Sequence, residues 1–232
     1  MAIRRLLWLV GTVVEVRAET ATARTIVFDV PGWPGHLAGQ HVDIRLTAPD
    51  GYSTQRSYSL AAPADGTRVE LMVQLVPDGE VSPFLVEDLL VGDEIELRGP
   101  IGGWFTWQPA DPSPILLVAG GSGVVPLMAM IRAAGGQADF TLVYSVRTRA
   151  DAYYLDELPK HGLGHSVLYT RATGDDGRPP GRIRPGDLPQ VAAARTYVCG
   201  PTGFVEAVTG LLLDRGGDPG TIRTERFGPS GG

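Results

Sequence analysis

Residues 115–126 read ILLVAGGSGVVP and decide the fold class of the second half of the chain. The run Ile115–Ala119 is continuously apolar, which is typical of a parallel-sheet strand that is buried on both faces. The glycines that follow let backbone N–H groups approach a pyrophosphate at the start of a helix, predicted here over Val124–Ala134. Pro126 takes the third position of the dinucleotide fingerprint GxGxxG, which indicates a different nucleotide-binding subclass. A tight strand-to-helix turn without a ligand is the alternative interpretation.

Apolar runs and helical segments continue to alternate from this stretch toward the carboxyl end. Further strands are predicted over 141–146, 167–170 and 196–199, and helices near 155–158 and over 204–215. Strands that alternate with helices form a parallel sheet covered on both faces. The second half is therefore predicted to be an α/β domain.

The first half of the chain has a different pattern, with short β-rich runs between turn signals. The predicted strands cover 6–16, 25–30, 41–46, 56–60, 69–76 and 94–98, and one helical stretch is predicted over 82–90. Regularly spaced short strands are typical of a barrel or a sandwich. Three prolines between Trp107 and Ile115 indicate a stiff linker. We therefore expect a β-domain over 1–109 and an α/β domain over 110–232.

Charge and cysteine content exclude several function classes. The net charge is −6, with 20 basic residues against 26 acidic ones, which argues against a general binder of nucleic acids or anionic membranes. Cys199 is the only cysteine, so an internal disulfide, a four-cysteine iron–sulfur cluster and a cysteine-rich zinc site are excluded. Glycines separate His161 from His165, and no metal site is expected.

The amino terminus is similar to a signal peptide only in part. A basic pair, Arg4-Arg5, precedes the apolar run 6–14. Glu15 and Arg17 follow at once, without a good small-residue cleavage site, and the run is too short to span a bilayer. A first β-strand and a cytoplasmic location are the better interpretation.

Arginines stand where the predicted strands of the α/β half end. Arg147 follows the second of these strands, where an NAD-binding domain usually has an acidic residue that holds the ribose 2′-hydroxyl. Arg149 lies nearby, Thr170-Arg171 ends the third strand, and Arg182 follows a few residues later. Cations at these positions suit the 2′-phosphate of NADPH. The alternative is that some of them are solvated surface charge.

The segment Arg56-Ser57-Tyr58-Ser59, taken alone, fits an edge strand with alternating polar residues. Five more short motifs follow it along the chain: Gly79-Glu80-Val81-Ser82, Gly99-Pro100-Ile101-Gly102, Gly121-x-Gly123-x-x-Pro126, Cys199-Gly200-Pro201 and Glu225-Arg226-Phe227. In this order the motifs resemble those of the ferredoxin–NADP⁺ reductase family. The resemblance covers essentially the entire chain.

The resemblance implies an antiparallel β-barrel that binds flavin, followed by an α/β parallel-sheet domain that binds a nicotinamide nucleotide. It implies an FAD-dependent oxidoreductase that takes hydride from NADPH, or from NADH, and hands single electrons to a separate carrier such as ferredoxin, which would serve an oxygenase. Two phosphate-binding motifs favour FAD over FMN. A reductase of free flavin, quinone or iron complexes is the alternative enzyme. A flavin- or nucleotide-binding regulatory subunit without turnover is the alternative from another class.

The resemblance also assigns roles on the flavin side. Arg56 would pair with the flavin phosphate by charge-assisted hydrogen bonds. Tyr58 would contact the isoalloxazine and the ribityl chain, and the Ser59 hydroxyl would reach flavin N5, where hydride arrives. The other residues implied to bind flavin are Ser57, Gly79, Val81 and Ser82.

On the nicotinamide side, Cys199 would lie beside the nicotinamide, although a buried structural thiol is its alternative interpretation. Glu225 would supply a proton or hold charge there, so Ser59, Cys199 and Glu225 are the candidate catalytic residues. Phe227 would cover the flavin ring, but residues 228–232 extend beyond it, unlike several family branches that end in their aromatic residue. The remaining residues implied to bind the coenzyme are Gly121, Ser122, Gly123, Pro126, Arg147, Thr170, Arg171, Arg182, Gly200 and Pro201.

Overall fold

The structure is a computed structural model that describes residues 6–109, 113–189 and 195–228. The chain divides into two compact units, Met1–Thr106 and Trp107–Gly232. The domain limit predicted from the sequence lies between residues 109 and 110, inside the predicted linker. Part of that linker is packed, because the Trp107 indole is buried edge-on against the Phe140 ring, with 5.1 Å between the centroids. Residues 110–112 lie outside the described part.

The first unit contains six strands: β1 (Trp8–Thr20), β2 (Ala23–Asp29), β3 (His41–Thr47), β4 (Ser53–Ser59), β5 (Arg68–Gln74) and β6 (Glu94–Ile101). They form one antiparallel sheet in the order β4-β3-β6-β1-β2-β5. The two edge strands approach each other just beyond β4, where Leu60 and Leu71 form a single antiparallel bridge. The prediction of an antiparallel β-domain is confirmed, although no continuous ladder among residues 6–106 closes the barrel.

Alternate side chains of these strands form the core of the first unit, as the two-residue period of a strand requires. Fully buried members include Ile26, Phe28, Val42, Ile44, Leu71 and Leu97. Leu85 and Leu89, at the helical stretch predicted over 82–90, join the same cluster. This stretch is a short helical turn whose Phe84–Asp88 part is π-helical. It begins at Ser82 and therefore fixes the end of the motif at 79–82.

The second unit is an α/β structure with five parallel strands in the order β11-β10-β7-β8-β9. Its elements are β7 (Ile115–Gly120), α1 (Val124–Ala134), β8 (Phe140–Val146), β9 (Gly164–Tyr169), β10 (Arg195–Pro201), α2 (Thr202–Asp214) and β11 (Ile222–Phe227). Every residue of β7 is buried, as predicted for a continuous apolar strand of a parallel sheet, and β7 lies at the centre of the sheet. None of the helices in the described ranges is long and apolar enough to cross a membrane.

Two elements of the second unit differ from the sequence prediction. The helix predicted near 155–158 is instead a short 3₁₀ helix over Leu158–His161, which starts next to Pro159 and ends at Gly162 in the left-handed conformation. β11 was not predicted, because Arg223, Thr224 and Glu225 do not look like a strand. It forms at the edge of the sheet because its backbone pairs in parallel with β10.

Candidate functional site

Gly120, Gly121 and Gly123 lie where β7 leads through a single 3₁₀ turn into α1. A different structural feature explains the glycine at each position. A Cβ at Gly120 would lie 2.6 Å from the Phe204 ring, and a Cβ at Gly123 would collide with the carbonyl group of Cys199. Close packing therefore explains these two residues. Gly121 has a φ of +55° and nothing within 4 Å of its Cβ position, so it leaves open space beside the turn. This open side is where a ligand could approach the backbone.

Two further residues of this motif, Pro126 and Ser122, differ in how accessible their side chains are to a ligand. Pro126 is buried in the first turn of α1, so its side chain belongs to the core and is not offered to a ligand. Ser122 is only partly buried. A phosphate at this motif would therefore meet the glycine backbone and Ser122.

The carboxyl end of β10 brings Cys199 together with Glu225. The two residues are direct partners in the β10–β11 ladder, so their side chains lie on the same face of the sheet. Burial raises the pKa of the Cys199 thiol well above its ordinary value, and the neighbouring Glu225 raises it further. Burial also raises the pKa of the Glu225 carboxyl group, to about 7. The pair therefore consists of a neutral thiol and a carboxyl group that exchanges its proton near neutral pH.

The rest of the Cys199 motif lies where β10 meets α2. A Cβ at Gly200 would lie 2.8 Å from the Phe204 ring and 3.0 Å from the Gly120 carbonyl oxygen. This close packing explains why position 200 is a glycine. Pro201 is exposed and directly precedes α2. Its ladder partner on β11 is Phe227, which is half-buried.

Exposed arginines collect at the carboxyl ends of β8 and β9. The Arg171 N–H donates to the Arg147 carbonyl oxygen at 2.9 Å, and the Thr170 N–H donates to the Val146 carbonyl oxygen at the same distance, so the two chain segments run side by side. Arg147, Arg171 and Arg182 are exposed, and no ion pair to them occurs within the described ranges. Arg149 differs, because it forms an exposed ion pair with Asp175 at 2.8 Å.

In the first unit, Arg56 projects from edge strand β4 into a polar cluster. Its Nη2 lies 3.3 Å from Glu80 Oε2, and its Nη1 donates to Thr54 Oγ1 at 3.2 Å. Glu80 also accepts hydrogen bonds from the Thr54 hydroxyl and, at 2.8 Å, from the Tyr52 hydroxyl. These hydrogen bonds, led by that of Tyr52, lower the pKa of Glu80. Glu80 lies inside the motif at 79–82, but the sequence alone predicts no role for it.

The neighbours of Arg56 on β4 point in different directions. The Ser57 hydroxyl donates to Asp43 Oδ1 at 2.7 Å, and Asp43 in turn pairs with Arg98 at 2.6 Å, so this hydroxyl belongs to a structural network. Tyr58 packs against the core cluster, and burial raises its pKa. Ser59 ends β4 and is buried.

The motif at 79–82 is a tight turn against β5. The Gly79 N–H donates to the Val76 carbonyl oxygen at 2.8 Å, and the Val76 N–H donates to Ser82 Oγ at 3.0 Å. A Cβ at Gly79 would lie 3.0 Å from that carbonyl oxygen and 3.1 Å from Ser82 Oγ. Val81 is fully buried in the core, so its side chain is not available to a ligand and only its backbone is.

The residues of each unit fit a phosphate-bearing ligand. The first unit offers the Arg56 guanidinium group, 36% exposed, with hydroxyl groups around it. The second unit offers an open glycine turn and three exposed arginines without an ion pair in the described part of the chain. Guanidinium groups and backbone N–H groups are the donors that proteins use for phosphates. The described residues contain no cluster of His, Cys, Asp and Glu that could hold a metal ion.

Comparison with known proteins assigns a domain type to each unit. The family model of the oxidoreductase FAD-binding domain matches residues 11–106, and that of the oxidoreductase NAD-binding domain matches residues 117–210. The chain is 31% identical over 237 residues to the ferredoxin–NAD(P)⁺ reductase component of the naphthalene 1,2-dioxygenase/salicylate 5-hydroxylase systems of a Ralstonia species. This match covers 95% of the chain and 69% of the relative.

A second relative and a solved structure agree with this match. The chain is 38% identical over 146 residues to methane monooxygenase component C of Methylosinus trichosporium, over 61% of the chain and 42% of that protein. The flavohem-like FAD/NAD-binding domain of nitric oxide dioxygenase from Vibrio cholerae superimposes with a TM-score of 0.87 at 25% identity. That superposition covers 95% of this chain and 99% of the solved one.

Proposed function

The chain belongs to the ferredoxin–NADP⁺ reductase family, and we propose that it is an FAD-dependent NAD(P)H oxidoreductase that passes single electrons to a separate protein carrier. The observation that carries the proposal is the presence of an FAD-binding and an NAD-binding domain in one chain, each with its own cationic site. A regulatory subunit without turnover would not need both domains. A cytoplasmic location is part of the proposal.

On the flavin side, Arg56 and the backbone at Gly79 and Ser82 hold the phosphates of FAD. The phenol of Tyr58 packs against the flavin, and the Ser59 hydroxyl offers a hydrogen bond to it. When bound, FAD supplies the exchange between a two-electron hydride and single electrons. The protein contributes orientation and charge. Arg56 is suited to this work because its paired N–H donors match phosphate oxygens.

On the coenzyme side, the Gly121 turn and Ser122 receive the pyrophosphate, and Cys199 and Glu225 line the face toward the nicotinamide. The buried Cys199 thiol stays neutral, so it shapes the site without adding charge. Glu225 holds a proton at its carboxyl group below a pH of about 7 and releases it above. A group that exchanges its proton near the working pH is suited to proton transfer.

The coenzyme is proposed to be NADPH in preference to NADH. Arg147 follows β8 where an acidic residue would hold the 2′-hydroxyl of NADH, and Arg171 and Arg182 stand at the same end of the sheet. The 2′-phosphate of NADPH carries close to two negative charges. Arginines without an ion pair in the described ranges are free to bind it.

The electron acceptor is proposed to be a ferredoxin or an oxygenase component. The Ralstonia relative is a reductase component of dioxygenase and hydroxylase systems, and the Methylosinus relative is a component of a methane monooxygenase. The chain spans 69% of the first relative and 42% of the second. Its single cysteine excludes a four-cysteine cluster within these 232 residues, so the proposed one-electron carrier lies outside them.

Acceptor specificity tests the proposal. FAD-loaded protein is mixed with NADPH under anaerobic conditions, and turnover is compared with a [2Fe–2S] ferredoxin, free FMN, a benzoquinone and ferric citrate. We expect the highest kcat/KM with ferredoxin, with two ferredoxin molecules reduced for each NADPH. A higher kcat/KM with one of the small acceptors would favour the alternative enzyme. No NADPH oxidation with any acceptor would favour the regulatory subunit.

A further inference from the structure

The segment from Gly174 to Leu188, which carries Arg182, is organised around one nearly buried arginine. The Arg178 side chain is only 11% exposed, and its guanidinium group forms a fork-to-fork pair with Asp187. Nε donates to Asp187 Oδ1 at 2.9 Å, and Nη2 donates to Asp187 Oδ2 at 2.7 Å. Such bidentate pairs fix geometry as well as charge.

The same guanidinium group also binds the backbone on both sides of Gly181. Arg178 Nη2 donates to the Arg182 carbonyl oxygen at 2.9 Å, and Nη1 donates to the carbonyl oxygens of Pro179 and Gly181, each at 3.3 Å. Asp187 Oδ2 accepts the Arg184 N–H at 2.7 Å as well. The Arg178–Asp187 pair therefore holds the backbone before, at and after position 182.

Two further contacts tie this segment to the end of β9. The Gly181 N–H donates to the Tyr169 carbonyl oxygen at 3.3 Å, and the next residue after Arg182, Ile183, is buried in the core cluster of the second unit. Tyr169 is the last residue of β9 and precedes Thr170-Arg171. The Arg182 backbone is thereby fixed at the strand end that also carries Arg171, while its side chain remains exposed.

We propose that the Arg178–Asp187 pair positions Arg182 for the 2′-phosphate and so sets the discrimination between NADPH and NADH. This inference rests on the coenzyme choice proposed above. Arg178 and Asp187 are positioning residues, because their polar groups are already engaged with each other and with the backbone. Arg182 has its guanidinium group available, and its backbone is held from three sides. A pre-oriented donor loses less conformational entropy on binding than a mobile one.

The direction in which one substitution changes NADPH binding distinguishes positioning from simple electrostatics. Asp187→Asn removes a negative charge near the arginines, so electrostatics alone would strengthen the binding of a phosphate. Loss of the bidentate pair would instead release the segment and weaken that binding. A selective loss for NADPH can therefore come only from positioning. Arg178→Lys tests the same point at the other residue of the pair, because lysine keeps the positive charge but cannot form the bidentate pair with Asp187.

The experiment measures kcat/KM for NADPH and NADH on FAD-loaded protein, and the Kd of 2′,5′-ADP by calorimetry. The variants are Asp187→Asn, Arg178→Lys, Arg182→Ala and Arg171→Ala, each checked for unchanged thermal unfolding. Asp175→Asn is the matched control, since it makes the same change in the same segment but breaks only the exposed pair with Arg149.

We expect Arg171→Ala and Arg182→Ala to lower kcat/KM for NADPH about ten- to a hundred-fold, the loss of a hydrogen bond to a charged group. Asp187→Asn and Arg178→Lys should each lower it about five-fold or more, with the Kd of 2′,5′-ADP rising in parallel. For NADH, and for both coenzymes in Asp175→Asn, changes should stay within about two-fold.

Four results would overturn the inference, and they are distinguishable. Equal losses for both coenzymes in Asp187→Asn and Arg178→Lys would make the pair merely structural. Full NADPH selectivity in these two variants, with selectivity lost in Arg182→Ala, would leave the proposed coenzyme site standing without the positioning pair. Unchanged selectivity in Arg171→Ala and Arg182→Ala would remove the coenzyme site itself. A selective loss in Asp175→Asn as large as that in Asp187→Asn would also contradict the assignment.

Discussion

The arginine proposed to bind flavin and those proposed to bind coenzyme stand in different surroundings. Arg56 is surrounded by partners of its own unit, with the Glu80 carboxylate 3.3 Å from its Nη2. Arg147, Arg171 and Arg182 are exposed and have no ion pair in the part of the chain that the structure describes. The first arrangement orients a cation before its ligand arrives, while the second leaves cations available. This difference suits a cofactor that stays bound and a coenzyme that leaves after every turnover.

The glycines of the two units differ in how closely their Cβ positions are packed. Substitution of the more closely packed glycine, Gly123, is expected to have the largest effect. In Gly123→Ala the new Cβ would collide with the Cys199 carbonyl group, a clash with backbone that no side-chain rotation relieves. We expect a loss of about 3 kcal/mol or more in the free energy of unfolding of the second unit. In Gly79→Ala the nearest contacts are 3.0 and 3.1 Å, and the expected loss is about 1 kcal/mol. Urea unfolding followed by far-UV circular dichroism measures both, and equal losses would contradict the difference in packing.

A second prediction concerns Glu225, a partly buried acid of the second unit. Its folded pKa is about 7 against an ordinary value of 4.5, so the folded state retains a proton that the unfolded state has released. The free energy of unfolding should therefore fall as the pH rises from about 4.5 to about 7, by at most about 3 kcal/mol. Glu225→Gln should remove this dependence. Urea midpoints at several pH values between 5 and 8 provide the measurement, and parallel curves for both proteins would contradict the raised pKa.

The third prediction tests the surroundings of Arg56. Arg56→Ala should weaken FAD binding by about 1.5–3 kcal/mol, because a hydrogen bond to a charged phosphate is lost. Glu80→Gln keeps the shape of the cluster but removes the carboxylate that competes with the FAD phosphate for Arg56. This variant should therefore bind FAD more tightly than the parent. Fluorescence titration with FAD measures both. If Arg56→Ala retained FAD as tightly as the parent on dilution, its assignment would be wrong.

The smallest effect is expected at Ser59, three residues after Arg56 on the same edge strand. Ser59→Ala should leave the FAD affinity unchanged and slow flavin reduction about three- to ten-fold, the worth of one neutral hydrogen bond. Stopped-flow reduction of the variant beside the parent provides the test. An unchanged rate would remove Ser59 from the mechanism and leave it as a buried strand residue.

Much of the fold could be predicted because its strongest signals are local. The apolar run of β7 and the glycines after it indicate a buried parallel strand followed by a helix, and the structure has both. β11 escaped prediction because its polar residues gain their strand conformation from pairing with β10. The meeting of Leu60 with Leu71 is likewise a long-range contact that no local pattern contains.

The candidate site was predictable in its motifs but not in its cross-chain contacts. Arg56 and Glu80 were both quoted from the sequence, yet only the folded sheet brings the guanidinium group against the carboxylate. Arg178 and Asp187 belong to no sequence motif. Their pairing could not be predicted, because a bidentate pair depends on the path of the loop. Val81 and Pro126 matched motifs as residues, whereas burial leaves them only backbone or packing roles.

The central claim is that this one chain moves hydride from a nicotinamide coenzyme to its own flavin. The most direct measurement is anaerobic stopped-flow mixing of FAD-loaded protein with NADPH, followed by the visible absorbance of the bound flavin. The account predicts rapid bleaching that is complete with one equivalent of NADPH, and slower bleaching with the same concentration of NADH. A flavin that stays oxidised with both coenzymes would contradict the account, because the chain would then bind its cofactors without catalysing transfer between them.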